Sequence, residues 1–445
     1  MENNPSDYSW NKLKRNLGFY FSRVVGRPLC PPEHVYFSLT NRCNLKCKMC
    51  SIPGEGARSE EELSLEQCKR IIDQIADLGV DHLIFSGGEP LLRRDIEELV
   101  HYAVLKKIKM VDLISNGLML TEAIGRTLVN AGLTHITISI DGREEAHDFV
   151  RGEGAFKRAV GAIDMINRIR GDRTLPTVGI NFTIMDCNID DIVPMIEVAR
   201  SKKCNIIVIQ PMLSDNTEMQ DRVKNELWVS ERNLEKLRAV IGQVLELKRT
   251  SSDLSVHVNE KVLKLIPDYF SGTLLNKDLK CYEGFARIVI SFTGGLWTCQ
   301  GMYGELKTGT LKQYWFSKRA GAIRKKVVQC RTPCLQSCVH MEELSDIYPA
   351  CDRFVAGIAD EREKKEYLRR LCGMFKSYRA LILWKKCKAR FGRMLGLVHD
   401  PADESLDLEI ARISESLRGF EQMISRGRVG RSSKNGVAGP VFREK

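Results

Sequence analysis

The sequence contains no run of about 18 or more apolar residues, and its first residues lack the apolar stretch and small-residue cleavage site of a secretory signal. We therefore expect no membrane-spanning helix and a cytoplasmic location. Aromatic residues make up only 7% of the chain, but hydrophobic residues reach 43%, which is ordinary for a globular protein. Because disulfides are rare in a reducing compartment, the 15 cysteines are expected to include metal ligands rather than a disulfide framework.

The chain is moderately basic, with 68 Lys and Arg residues against 57 Asp and Glu residues. No nucleic-acid recognition motif accompanies it, so no specific nucleic-acid partner is expected. Basic and aromatic residues are interleaved in residues 1–33 and again in residues 361–397. The first segment predicts a helix that packs on the host domain, with peripheral contact to a membrane as the alternative. The second predicts a membrane-surface helix, a partner-binding helix or a cap on the main domain.

Three cysteines, Cys43, Cys47 and Cys50, lie in one short polar loop with C-x3-C-x2-C spacing. Thiolates hold iron–sulfur clusters, and closely spaced cysteines let one loop wrap a cubane. Because a 4Fe–4S cluster normally takes four cysteines, this loop would leave one iron without a protein ligand. Catalytic metal sites keep an open position in the same way. For the loop alone, a zinc site and a disulfide are the alternatives.

The chain after this loop alternates between buried strands and amphipathic helices, which predicts a parallel sheet and an α/β fold class. Curled, the sheet becomes a partial (β/α)6 barrel with its site at the carboxyl ends of the strands. The cysteine loop follows the first strand and therefore lies at that edge. Strands are predicted at residues 35–39, 82–85, 110–114, 134–140, 178–184 and 206–209, and helices at residues 64–78, 95–106, 121–131, 156–168, 189–202 and 230–247.

Glycine and short polar residues follow the later strands at the same edge of the predicted sheet. Each group alone is typical of a turn. Together they describe a pocket for a zwitterion, in which glycines let the backbone approach a ligand and Glu89 offers a carboxylate to an ammonium group. The groups are Gly87-Gly88-Glu89-Pro90, Ser115-Asn116-Gly117, Ser139 with Asp141-Gly142, and Arg151-Gly152.

With these motifs and the three cysteines, residues 35 to about 210 resemble the core of a radical S-adenosylmethionine (radical SAM) enzyme. The resemblance implies that Cys43, Cys47 and Cys50 hold a 4Fe–4S cluster. It also implies that S-adenosylmethionine chelates the open iron through its methionine amine and carboxylate. The implied cofactor contacts are Gly88 and Glu89 at the amine, Ser139 and Arg151 at the carboxylate or ribose, and Gly87, Ser115 and Asn116 as further members of the pocket.

The same resemblance implies a reaction. An electron from a reductant such as flavodoxin or ferredoxin enters the sulfonium, breaks a C–S bond and yields a 5′-deoxyadenosyl radical, which abstracts a substrate hydrogen. No amino-acid side chain is predicted to be catalytic. The expected substrate is a peptide or protein side chain, and a small molecule, a sugar or a lipid stays open. A non-catalytic iron–sulfur or zinc module that senses redox state or binds a partner is the alternative from another class.

A second group of cysteines surrounds a predicted hairpin with a Gly294-Gly295 turn. This region resembles the SPASM or twitch extension of radical SAM enzymes, which implies one auxiliary 4Fe–4S cluster, and structural zinc is the alternative. Gln300 stands where sulfatase-maturing relatives carry an acidic base, so that mechanism is not expected here. The implied ligands are Cys281 and Cys299 with two of Cys330, Cys334 and Cys338.

These segments predict the organisation of the whole chain. From residue 426 onward Gly, Ser, Arg and Lys dominate, which predicts disorder. The expected order is a basic N-terminal helix (1–33), the radical SAM core (34–250), a connector (251–280), a cysteine-rich auxiliary domain (281–345), a basic helical extension (346–425) and a disordered tail (426–445).

Overall fold

The computed structural model describes residues 10–52, 61–213, 225–251, 253–274, 279–332, 334–336, 358, 360–394 and 410–418 except 412 and 416. The chain divides into two compact units. The described residues between 26 and 341 form the first unit, and those within 4–25 and 342–445 form the second.

The described residues of the first unit form one sheet of ten strands. Its strands are β1 (His34–Ser38), β2 (His82–Ser86), β3 (Met110–Ser115), β4 (His135–Ser139), β5 (Thr177–Ile184), β6 (Ile206–Pro211), β7 (Ser255–His257), β8 (Arg287–Ile290), β9 (Gly295–Thr298) and β10 (Gly301–Glu305). Their order across the sheet is β10-β9-β8-β1-β2-β3-β4-β5-β6-β7. All neighbours from β8 to β7 are parallel, so their carboxyl ends meet at one edge.

Helices connect the parallel strands. In chain order, the helices of the described residues in both units include α1 (Trp10–Val25), α2 (Leu65–Asp77), α3 (Ile96–Leu105), α4 (Glu122–Ala131), α5 (Glu144–Arg151), α6 (Ala155–Arg170), α7 (Ile192–Ser201), α8 (Leu234–Thr250), α9 (Glu260–Ser271), α10 (Leu311–Trp315), α11 (Lys318–Gln329) and α12 (Glu361–Met394). Helix α2 shows why they form. Ser64 and Gln67 exchange side-chain-to-backbone hydrogen bonds at its start. Its buried residues Cys68, Ile71 and Ile75 follow helical spacing.

Residues along the parallel strands alternate between two faces. Val35, Phe37 and Phe85 are completely buried and belong to one hydrophobic cluster with residues of the helices, so they form the outer face. The positions between them point to the inner face. A closed barrel interior is usually filled with branched apolar side chains, whereas this inner face is largely polar, which indicates a chamber for a polar ligand. Its polar members include Tyr36, Ser38, Ser86, Asp112, Thr137, Ser139, Asn181, Thr183 and Gln210, together with His34, His82, His135 and Thr177.

The six strands and six helices predicted for the barrel are all present, and the α/β fold class is confirmed. Helix α5 was missing from the prediction because it has only eight residues and most of them are polar. Residues 251–280, expected to be a connector, contain β7 and α9. Their signals in the sequence are weak because β7 has three residues and α9 contains Pro267. The predicted hairpin forms from β8 and β9, but β8 also pairs with β1 and so extends the barrel sheet.

In the second unit, α1 packs against α12. Phe21 stacks on Tyr378 with ring centroids 4.1 Å apart, and it meets Phe375 edge-on at 6.1 Å. Leu13 and Leu17 of α1 are also completely buried. Apolar residues of the two basic segments are therefore used in packing. The described part of the chain contains no helix that is both long and apolar enough to cross a membrane. Residues 426–445, predicted to be disordered, lie outside the described residues.

Candidate functional site

The cysteine loop follows β1 at the carboxyl edge of the sheet. Its three cysteines, Cys43, Cys47 and Cys50, are half-buried. The backbone N–H of Cys50 donates to the Cys47 carbonyl at 3.1 Å, and the backbone N–H of Lys48 donates to the carbonyl of Val150 on α5 at 2.9 Å. These bonds shape the loop and tie it to α5.

The donor set of this loop fits an iron–sulfur cluster. Soft thiolates are the usual protein ligands of such clusters. Burial raises the pKa of the Cys47 thiol to about 11 and raises the pKa of Cys43 as well, so a bound metal must displace both protons at neutral pH. Among the described residues, no three Cys, His, Asp or Glu side chains converge on a position for one metal ion.

The Gly87-Gly88 turn after β2 packs on the backbone that leads into the cysteine loop. Gly87 has a φ of +133°, and a Cβ on it would lie 2.3 Å from the Thr40 carbonyl oxygen. A Cβ on Gly88 would lie 2.1 Å from the Arg42 carbonyl oxygen. The backbone N–H groups of Gly88 and Glu89 donate to these carbonyls at 2.7 and 2.8 Å. Contact between the two loops therefore requires glycine here, a reason that the sequence analysis did not give.

Glu89 joins the ends of β2 and β3 and is completely buried. Its carboxylate accepts hydrogen bonds from the backbone N–H of Leu91 at 3.1 Å and of Asn116 at 2.8 Å. It also accepts from the Ser115 hydroxyl at 2.8 Å. Burial raises the pKa of Glu89, and these donors oppose the rise. Glu89 therefore fixes the Ser115-Asn116 turn next to the cysteine loop.

The Asn116 side chain reaches the cysteine loop. Its Nδ2 donates to Asn44 Oδ1 at 2.8 Å and lies 3.9 Å from the Cys43 sulfur. Its Oδ1 accepts from the backbone N–H of Leu118 at 2.9 Å. Because both ends of the amide have partners, its nitrogen is held toward the thiol.

Asp141 follows β4, is completely buried and holds Arg151 of α5. Its Oδ2 accepts from Arg151 Nε at 2.6 Å, and its Oδ1 accepts from the backbone N–H of Thr183 at 2.8 Å. Arg151 Nη1 lies 3.9 Å from the Cys47 sulfur. The Asp141–Arg151 pair therefore places a guanidinium beside a second thiol of the loop.

Two further residues of α5, missed in the sequence analysis, hold the backbone around this pair. His147 on α5 is completely buried, and its Nδ1 accepts from the backbone N–H of Asp141 at 3.0 Å, which leaves its proton on Nε2. Burial lowers the pKa of His147 to about 4. Asp148 accepts from two backbone N–H groups at the start of α6, at 2.7 and 2.8 Å. The spacing of His147 and Arg151, one helical turn apart, was the available signal.

Polar side chains of the inner face continue from this edge along the neighbouring strands. Ser139 and Asn181 are partners in the register of β4 and β5, and Thr183 and Gln210 are partners in the register of β5 and β6. Ser139 is buried, whereas Asn181 and Gln210 are half-buried. Hydroxyl and carboxamide groups thus line the sheet beside the cysteine loop.

Four of the five predicted auxiliary cysteines lie close to each other near the end of the β8–β9 hairpin. Burial raises the pKa of Cys299 to about 12 and that of Cys334 to about 11, and neighbouring thiols contribute to both shifts. Gln300 Nε2 lies 3.6 Å from the Cys330 sulfur and 4.0 Å from the Cys299 sulfur. Cys281 is among the thiols that act on Cys299 and Cys334. The fifth predicted ligand, Cys338, lies outside the described residues.

A parallel partial barrel with three thiols in one loop at its carboxyl edge is the architecture expected of enzymes that use an iron–sulfur cluster with S-adenosylmethionine. Residues 37–199 match the model of the Radical SAM superfamily. PqqA peptide cyclase from Rhizobium meliloti is 31% identical over 312 residues, which make up 67% of this chain and 77% of that protein. The chain therefore belongs to the radical SAM superfamily, as the sequence predicted. Membership implies a 4Fe–4S cluster and S-adenosylmethionine as cofactors.

Other similar proteins differ in how much of each chain is matched. Fe-coproporphyrin III synthase from Methanosarcina barkeri is 35% identical over 170 residues, and the chain spans only 41% of its length. The crystal structure of Streptococcus suis SuiB bound to precursor peptide SuiA has a TM-score of 0.53 and 14% identity, with 76% of this chain and 78% of that chain covered. This likeness concerns the fold alone. The individual ligands, the cofactor contacts and the domain boundaries stay predictions.

Proposed function

We propose that this protein cleaves S-adenosylmethionine reductively at a 4Fe–4S cluster held by Cys43, Cys47 and Cys50, and that it abstracts a hydrogen from a peptide or protein side chain. The observation that carries the proposal is the three-thiol loop at the carboxyl edge of a parallel sheet. When bound, the cluster supplies the electron that breaks a C–S bond of the sulfonium and leaves a 5′-deoxyadenosyl radical.

The surrounding residues bind and orient the cofactor. Glu89 offers a buried carboxylate for the methionine amine, where a charge-assisted hydrogen bond is strong. Arg151 offers a guanidinium for the methionine carboxylate. Ser139, at the end of β4, is a proposed ribose or carboxylate contact. The remaining proposed members of the pocket are Gly87, Gly88, Ser115 and Asn116.

A peptide is the substrate class that we propose. PqqA peptide cyclase is matched over 312 residues, far beyond the 37–199 range of the family model, so the likeness extends past the barrel. The polar inner face suits peptide groups, because carboxamides such as those of Asn181 and Gln210 both donate and accept hydrogen bonds. A small molecule is the second candidate substrate, because the chain is also similar to Fe-coproporphyrin III synthase. That match covers a shorter stretch of 170 residues.

Three further parts of the proposal concern partners and metals. A flavodoxin or ferredoxin is proposed as the electron donor. Cys281, Cys299 and two of Cys330, Cys334 and Cys338 are proposed to hold an auxiliary 4Fe–4S cluster. Peripheral contact with an acidic membrane surface rests only on the basic residues of the two terminal segments, and flotation with anionic vesicles at low salt tests it.

The test uses anaerobically reconstituted enzyme with dithionite, S-adenosylmethionine and candidate peptides encoded by neighbouring genes, each synthesised with deuterated side chains. We expect 5′-deoxyadenosine to form and to gain one deuterium from the true substrate. Formation of 5′-deoxyadenosine without deuterium from any peptide, but with deuterium from a labelled porphyrin precursor, would replace the peptide by a small molecule. No 5′-deoxyadenosine under any condition would refute the function itself.

A further inference from the structure

Two nitrogen-bearing side chains reach two different thiols of the cysteine loop. Asn116 Nδ2 lies 3.9 Å from the Cys43 sulfur, and Arg151 Nη1 lies 3.9 Å from the Cys47 sulfur. Both are within reach of a hydrogen bond to sulfur. Asn116 directly follows β3, whereas Arg151 is the last residue of α5, so the two donors come from different elements.

Each donor is held by a completely buried carboxylate. Glu89 accepts from the backbone N–H of Asn116 at 2.8 Å, while Asn44 and Leu118 fix the two ends of the amide. Asp141 accepts from Arg151 Nε at 2.6 Å. Only 10% of the Arg151 side chain is exposed, so the guanidinium has little freedom to turn away. This rigidity distinguishes the contacts from a chance approach of mobile surface groups.

Hydrogen bonds and positive charge at a cluster thiolate stabilise the more negative, reduced state of the cluster. Neutral amides and a guanidinium therefore raise the reduction potential of the metal that the thiolates hold. Removing such a donor lowers the potential, because the extra electron is then less well stabilised.

We propose that Asn116 and Arg151 tune the reduction potential of the cluster on Cys43, Cys47 and Cys50, and that Asp141 is the positioning residue for Arg151. The proposal rests on the proposed function, because it requires a cluster on this loop. It adds a role that differs from contact with S-adenosylmethionine. A cofactor contact acts only when the cofactor is bound, whereas a donor to a thiolate acts in its absence.

The experiment is a redox titration of the full-length, anaerobically reconstituted protein, followed by electron paramagnetic resonance without S-adenosylmethionine. The signal of this cluster is identified by its change when the cofactor is added afterwards. For Asn116→Leu and Arg151→Gln we expect the ratio of reduced to oxidised cluster at a fixed potential to fall about tenfold, which is 59 mV for a one-electron couple. Asn116→Asp keeps the acceptor for Leu118 and replaces the donor by an oxygen, so its potential should fall further.

Arg143→Gln is the matched control. Arg143 lies in the same segment and pairs with Asp191 at 2.5 Å, but 61% of its side chain is exposed. Losing this positive charge should leave the potential unchanged. If Asn116→Leu or Arg151→Gln loses its iron, Asn116→Gln and Arg151→Lys replace them. These variants keep a donor but change its reach, so the potential should fall by a smaller amount, and an unchanged potential in both would contradict the tuning role.

A double-mutant cycle tests the role of Asp141. A positioning role predicts that Asp141→Asn changes the potential in the wild type but not in the Arg151→Gln background. An equal change in both backgrounds would show that Asp141 acts through its own charge. Potentials equal to the wild type in both donor variants, or shifts seen only with S-adenosylmethionine, would overturn the tuning role. A wild type that holds no cluster would instead refute the proposed function.

Discussion

Two buried carboxylates organise the residues around the cysteine loop. Glu89 receives three hydrogen bonds, from Leu91 after β2 and from Ser115 and Asn116 at the end of β3. Asp141 receives bonds from Arg151 and from the backbone of β5. A buried group with its partners in place is costly to remove, because the donors left behind lose their hydrogen bonds in a dry environment. Single substitutions at these two positions should therefore have effects well beyond the loss of one contact.

Replacing Glu89 tests its role in cofactor binding. Glu89→Ala should weaken the affinity for S-adenosylmethionine by at least about ten- to a hundredfold, because a hydrogen bond to a charged group contributes about 1.5–3 kcal/mol and the Ser115-Asn116 turn also loses its partner. Titration of the reconstituted variant measures this, with Glu97→Ala on the exposed side of α3 as the control. Unchanged affinity in Glu89→Ala would exclude the proposed contact with the methionine amine.

The buried His147 predicts a pH dependence of stability. Its pKa is about 4 in the folded protein, below the ordinary value of 6.5 that applies when unfolded. The unfolded chain therefore takes up the proton first, and stability is lost as the pH falls from about 6.5 toward 4. The loss is at most about 3–4 kcal/mol. Urea unfolding at several pH values should show this loss in the wild type and a smaller one in His147→Asn, and equal slopes in both proteins would contradict it.

Among elements, those with a local signal could be predicted from the sequence. Ser64, which precedes an apolar stretch with helical spacing, predicted the start of α2. Runs of apolar residues rich in β-branched side chains predicted the strands. Helix α5 could not be found in this way, because its buried residues Ala146, His147 and Val150 give too short a pattern. The tight contact of Gly87 and Gly88 with Thr40 and Arg42 was equally hidden, since it joins loops far apart in sequence.

The contact between these two loops gives a prediction at the level of the element. Gly88→Ala should destabilise the protein by about 1–3 kcal/mol, because its Cβ would lie 2.1 Å from the Arg42 carbonyl oxygen and the loops must separate. Gly161→Ala is the matched control. A Cβ there meets nothing within 4 Å on α6, so alanine should stabilise by about 1 kcal/mol through helix propensity. Equal unfolding midpoints for Gly88→Ala and the wild type would contradict the packing argument.

At the level of the whole molecule, one sheet links the two cysteine groups. Strand β8 pairs with β1, whose carboxyl end leads into the cysteine loop, and it pairs on its other side with β9 of the hairpin. The sequence predicted the hairpin and the barrel separately, but it contained no sign that they share a sheet. Such pairing depends on contacts between segments about 250 residues apart, which local patterns do not encode.

The number of bound irons tests the second cysteine group. After anaerobic reconstitution the wild type should hold about eight irons, as two cubanes. A variant with Cys43, Cys47 and Cys50 all changed to Ala should keep about four, because the auxiliary ligands come from other segments. Metal analysis that finds one zinc and no iron in this variant would assign a structural zinc to the auxiliary site. If this variant holds neither iron nor zinc, the cysteines of the second group are only core residues.

The most direct test of the central claim is the formation of 5′-deoxyadenosine by Cys47→Ala. This change leaves the loop with two thiols, so the cluster should be unstable and cleavage of S-adenosylmethionine under dithionite should be abolished, while the barrel still folds. Cys204→Ala removes a buried thiol outside the loop and should keep the wild-type rate. A Cys47→Ala protein that formed 5′-deoxyadenosine as fast as the wild type would contradict the assignment of the cluster to this loop.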